Sequence, residues 1–244
     1  MTRALLVLLL LAGCGPAQQP PMTASDRLRE DPTPFVQHGL DLIQRQQCER
    51  AMAEGFEPAL AIFERQRDTA EPPRASRMIN AAQVSSLDED PEAAAAPDAQ
   101  IGPEWSDTMY LQAFCLVEVG QIDQAEQLLQ RALTLIPDDV VYACELGHIR
   151  QGQGRHEDAM ALYRGALENV RGLRQSGSMG GTRLFGNPLD WWERRALRGI
   201  GYSQIEIGQL EAADATYRAV LAIDPSDERA LRELELISVR RGAI

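Results

Sequence analysis

A repeat limits what this chain can fold into more than any other feature. The stretch Gly120-Gln121-Ile122-Asp123-Gln124-Ala125 returns 34 residues later as Gly154-Arg155-His156-Glu157-Asp158-Ala159. It returns again as Gly208-Gln209-Leu210-Glu211-Ala212-Ala213. The interval holds beyond these six positions, because Leu129 aligns with Tyr163 and Ala132 with Ala166. The third copy lies 54 residues after the second, which is one period plus an insertion of 20. A period of this size marks a supersecondary unit that cannot bury its apolar face alone and must stack on its neighbours.

Each repeated position has a physical task. The glycine closes one helix in a left-handed conformation that other residues resist. Asp123, Glu157 and Glu211 fall in the first turn of the next helix, where an acid favours the helix dipole. Ala125, Ala159 and Ala213 are small enough for two helices to approach closely. Pro137 and Pro225 end the second helix, and Asp138-Asp139 and Ser226-Asp227 can cap the one that follows. Leu128, Leu129, Ala132 and Leu135 recur at helical spacing. The unit is therefore a helical hairpin.

These positions resemble the tetratricopeptide repeat (TPR) family. The family's small residue late in the first helix is met by Ala113, Gly147 and Gly201, and its inter-helix glycine by Gly120, Gly154 and Gly208. Its aromatic is met by Tyr163 and Tyr217, with Leu129 substituting in the first copy. Its later alanine is met by Ala132 and Ala166, with Val220 in the third copy. Arg171 stands where the second copy's proline would be, so that helix is expected to run on into the insertion. The resemblance implies an all-α fold, an αα-hairpin superhelix or TPR solenoid, over residues 104–244. Its repeats fall at about 106–139, 140–173 and 194–227, the insertion at about 172–192, and a capping helix at 228–241. The cap presents Glu228, Arg232, Glu233, Arg240 and Arg241 to solvent, as a repeat array requires for solubility.

Ahead of the array, residues 35–68 read as a degenerate hairpin. Phe35 to Ala53 is helical in pattern, a second helix is predicted from Pro58, and Ala59 and Phe63 echo the repeat. Residues 69–103 read as a low-complexity linker, with Pro72-Pro73, Asp88-Glu89-Asp90 and Ala93 to Ala96 closed by Pro97. Arg74 to Leu87 is a candidate short helix inside it.

At the N-terminus, Arg3 precedes an apolar run from Ala4 to Leu11 that is too short to span a bilayer. The run ends in Leu11-Ala12-Gly13-Cys14, which resembles the bacterial lipobox. That resemblance implies a lipoprotein signal peptide over 1–13, a lipid on Cys14, and a flexible Pro-rich tether within 14–34. In Gram-negative relatives an Asp after the cysteine signals inner-membrane retention, so for a cell of that type the resemblance, with Gly15 there, implies the outer membrane facing the periplasm. The net charge of −12 argues against a nucleic-acid partner and against a peripheral grip on anionic lipid. Membrane attachment is therefore expected through the lipid alone.

No phosphate-binding loop, nucleophile elbow or zinc-protease motif occurs. His38, His148 and His156 are scattered, and His156 occupies a packing position of the repeat. Acid pairs sit at helix starts, where capping explains them. No catalytic residue, metal or cofactor is expected. Cys48, Cys115 and Cys144 show no metal or redox spacing, and at most one pair can form, which one being open.

What remains is surface. Helical periodicity turns Tyr110, Phe114, Val141, His148, Arg195, Arg198, Tyr202, Arg229 and Arg232 toward the concave side of the array. Aromatics with arginine are a usual composition for protein recognition. Family members that clamp a peptide carboxylate use a Lys and Asn set there. Tyr110 and Phe114 take two of those positions, so such clamping is not implied. The insertion offers a second surface in Arg174, Arg183, Phe185, Trp191 and Trp192. The leading expectation is a membrane-anchored adaptor for an envelope protein, in a secretion, pilus or cell-wall machine. The alternatives are an accessory or unrecognised cell-wall or peptide hydrolase and a self-associating structural lipoprotein. Oligomeric state is left open.

Overall fold

The computed structural model describes residues 31–68, 103–176 and 187–242. The signal peptide, Cys14, most of the tether, the linker with its candidate helix at Arg74 to Leu87, and Arg183 and Phe185 of the insertion lie outside these residues. The described residues form helices and no strand.

The N-terminal hairpin comprises α1 (Thr33–Gln44), α2 (Cys48–Ala51), a π-helical segment (Met52–Phe56) and α3 (Glu57–Asp68). Two features differ from the sequence expectation. Helix α1 starts at Thr33 rather than Phe35, with Pro34 in its first turn where a missing N–H costs nothing. The second arm is helical from Cys48, so Pro58 lies inside it rather than at its start. Proline removes a hydrogen bond to the preceding turn, and the wider π turn immediately before Pro58 accommodates that loss. Gly39 lets Phe56 pack against α1, since a Cβ at Gly39 would stand 2.4 Å from that ring.

The array follows as three hairpins and a last helix. These are α4 (Pro103–Glu118) with α5 (Ile122–Leu135), α6 (Val140–Gly152) with α7 (His156–Gln175), and α8 (Leu189–Glu206) with α9 (Leu210–Ile223). The last is α10 (Glu228–Gly242). Each helix packs on the next, and α3 and the π segment pack on α4.

All three hairpins turn the same way. Gly120, Gly154 and Gly208 have φ of 79°, 74° and 76°. In each turn the glycine N–H donates three residues back and the following N–H donates five back, as in Gly120 to Val117 at 3.0 Å and Gln121 to Leu116 at 2.8 Å. Ala125, Ala159 and Ala213 are fully buried where the helices cross, beside Leu129, Tyr163 and Tyr217. Asp139 caps α6 by accepting from Tyr142 N at 2.9 Å, and Asp227 caps α10 by accepting from Ala230 N at 3.0 Å. Helix α7 is 20 residues long and runs past Arg171, for lack of a terminating proline there.

Candidate protein-binding groove

Helix α8 packs on α6, α4 meets α6 through Tyr110 on Tyr142, and the three first helices form the walls of a cavity of about 240 Å³. Tyr110 and Phe114 come from α4, one turn apart, and Ala113, Val117 and Glu118 continue the same wall. Glu145 and His148 come from α6, and Arg195 reaches in from α8. Leu129 and Ile149 line the remaining wall.

The cavity is apolar along α4 as far as Glu118 at its end, and charged opposite. The Arg195 guanidinium pairs with the Glu145 carboxylate and lies 5.6 Å from the Trp191 ring. Burial alone would lower the Arg195 pKa, but Glu145, Cys144 and Tyr163 together outweigh it and hold the group above its ordinary value. Tyr110 stacks on Tyr142 at 5.8 Å, and burial, then the Glu145 charge, raises its phenol above the usual range. Phe114, 41% exposed, and the exposed His148 face outward from the same cavity. The site therefore offers an aromatic contact, an imidazole and a tethered ion pair whose members can each accept a new partner. Among the described residues no group of three or more His, Cys, Asp and Glu could hold a metal ion, and no helix is long and apolar enough to cross a membrane.

Of the sequence-predicted groove residues, the structure brings together Tyr110, Phe114, His148 and Arg195. Val141 is in the core, 2% exposed, because α6 is buried on nearly every side. Arg198 is turned toward α10, where it and Arg194 hold the Asp227 carboxylate, Arg194 at 3.0 Å. Tyr202 is exposed beside His156, their rings 6.2 Å apart. Arg229 and Arg232 are exposed on α10, with Arg232 only 3.7 Å from Glu228 of its own helix. Glu118 and Glu145 are the charged cavity residues that sequence reasoning missed, beside the apolar Ala113, Val117, Leu129 and Ile149. Glu145 sits three positions before His148 and so shares its face, a signal that helical spacing already held.

At the described edges of the insertion, Arg174 pairs with Asp190 at 2.6 Å and Glu193 at 2.7 Å, pinning the end of α7 to the start of α8. Trp192 is buried, and Trp191 packs edge-on against it at 4.6 Å.

The tetratricopeptide repeat family model matches residues 106–139 and 196–227. The chain carries tetratricopeptide repeats. Its middle TPR hairpin, α6 and α7, closes on the same glycine turn and buries the same alanine, although the family match omits it. A segment of 125 residues, 51% of this chain, is 26% identical to Protein CTR9 homolog of Arabidopsis thaliana, and spans 10% of that protein. The solved structure of PilF from Pseudomonas aeruginosa is similar at a TM-score of 0.56 and 13% identity, over 87% of this chain and 69% of that one. MamA from Desulfovibrio magneticus RS-1 is similar at 0.53 and 11%, over 86% and 85%. At these identities the likeness is one of fold, a TPR solenoid. Such an array is a protein-interaction scaffold, and its kind is generally non-enzymatic.

Proposed function

We propose that this protein is a lipid-anchored TPR adaptor that holds a segment of an envelope protein in the groove between α4, α6 and α8. The observation that carries the reading is the cavity itself, in which exposed Phe114 and His148 stand beside the Arg195–Glu145 pair. Aromatic and arginine anchors in a partly desolvated pocket are where binding energy concentrates. The lipobox-like Leu11-Ala12-Gly13-Cys14 supports an anchor on Cys14, which would restrict the bound partner to the bacterial membrane surface, in a secretion, pilus or cell-wall machine.

Affinity purification from detergent-solubilised membranes tests the groove. The natural protein should enrich one envelope protein, and Phe114→Glu should lose it while keeping its thermal midpoint. Equal recovery with Phe114→Glu would place the interface elsewhere. Incorporation of a labelled fatty acid, abolished by Cys14→Ser, tests the anchor, and label that persists in that variant refutes it.

A further inference from the structure

The three cysteines among the described residues carry free thiols but are not equivalent. Cys144 lies on α6, fully buried, facing Arg195, Glu145 and Asp139, and burial pushes its thiol up to about 12. Cys115, near the end of α4, is buried, and Cys48 lies close enough to act on its thiol. Cys48 opens α2, is half-buried, and packs on the same apolar core that holds Cys115. Helix α2 packs directly on α4. Cys48 also follows a tight turn in which Gln46 has φ of 58°, so its backbone lies at a junction rather than mid-helix and can adjust to bridging geometry.

We infer that Cys48 and Cys115 form a reversible disulfide that fastens the N-terminal hairpin to the first repeat. The pair is 67 positions apart in sequence, and the bond would span the whole stretch between hairpin and array. The step is thiol–disulfide exchange with a small disulfide such as oxidised glutathione. The more accessible Cys48 thiol loses its proton, attacks one sulfur of that disulfide and expels one thiolate. The Cys115 thiol then loses its proton, attacks the Cys48 sulfur and expels the second thiolate. Two cysteine thiols are oxidised, one small disulfide is reduced to two thiols, and the released protons go to those thiolates. Burial and then the neighbouring Cys48 raise the Cys115 thiol above its usual range, which leaves it the second of the two to attack. The pairing rests on contacts within the fold and is independent of where the chain is anchored.

Peptide mapping of the full chain carrying Cys14→Ser tests the assignment. After treatment with oxidised glutathione and alkylation without reduction, trypsin releases residues 46–50 with Cys48, 78–131 with Cys115 and 132–150 with Cys144. The expected product joins 46–50 to 78–131, is two hydrogens lighter than the separate peptides, and disappears with dithiothreitol. It forms in Cys144→Ser and is absent in Cys48→Ser. The oxidised protein should also unfold at a higher temperature than the reduced one, with no such difference in Cys48→Ser. Three alkylated cysteines after oxidation, a glutathione adduct that persists on Cys48 without a crosslink, or any pair containing Cys144 would overturn the inference.

Discussion

The Tyr163 ring of α7 lies against Gly199 of α8 so closely that a Cβ at 199 would stand 2.4 Å from it. The same ring covers Gly147 of its own repeat, where a Cβ would stand at 2.9 Å. Its hydroxyl donates to Gln151 at 2.9 Å, and the Gln151 amide donates to the Gly199 carbonyl at 2.7 Å and to Ser203 at 2.9 Å. One tyrosine thus joins the second and third repeats across the insertion. Gly199→Ala should cost about 1–3 kcal/mol, as overpacking of a tight core does. Adding Tyr163→Leu should recover part of that loss, since leucine serves at the equivalent position 129. Urea unfolding of the single and double variants checks this, and purely additive losses would contradict it.

Asp227 is the second joint. It caps α10 through one oxygen and receives Arg194 and Arg198 on the other. Asp227→Ala should destabilise by about 3 kcal/mol, from a lost cap and a partly buried Arg198 left without its carboxylate, while Arg194 keeps Asp224 at 2.6 Å. Amide exchange in α10 should accelerate well before that in α6. Uniform acceleration along the array would argue against a local role. For the same reason Arg198→Glu is a poor probe of the groove, because it strikes the cap.

Asp139 gives the fold a pH dependence. Burial raises its carboxyl to about 6, against the opposing pull of the Tyr142 and Val141 amides. A raised carboxylate costs the folded state stability while ionised, here at most about 3 kcal/mol above pH 6. The cost fades as pH falls through about 6 toward the ordinary carboxylate range. Asp139→Asn keeps a cap and removes the titration. Its stability advantage over the natural protein should therefore be largest near about pH 7 and shrink steadily toward about pH 4. Thermal midpoints across that range decide, and a pH-independent difference would refute the assignment.

Trp105 holds the N-terminal hairpin on the array. It is 1% exposed on α4, with Arg67 of α3 and Arg131 of α5 lying 5.6 Å and 5.0 Å from its ring. Arg131 also pairs with Glu64 of α3 at 2.8 Å. Trp105→Ala should cost about 3–5 kcal/mol. Limited proteolysis should then cut within α1 to α3 sooner than within the repeats, and hairpin helices as resistant as in the natural protein would count against the docking role.

Much of this architecture was legible in the amino-acid order alone. The glycine turns, the buried alanines, the caps at Asp139 and Asp227 and the run-on of α7 all follow from local chemistry repeated in register. Local chemistry suffices there because each helical hairpin meets mainly its immediate neighbours. It did not suffice where one helix touches several others. Helical period placed Val141 and Arg198 on the concave side, yet α6 is enclosed by α5, α7 and α8, which buries Val141, and Asp227 draws Arg198 to α10. The Glu145–Arg195 pair, and Cys48 and Cys115 at one apolar core, join residues 50 and 67 positions apart. No sequence period relates such positions. Only the stacking of the hairpins brings them together.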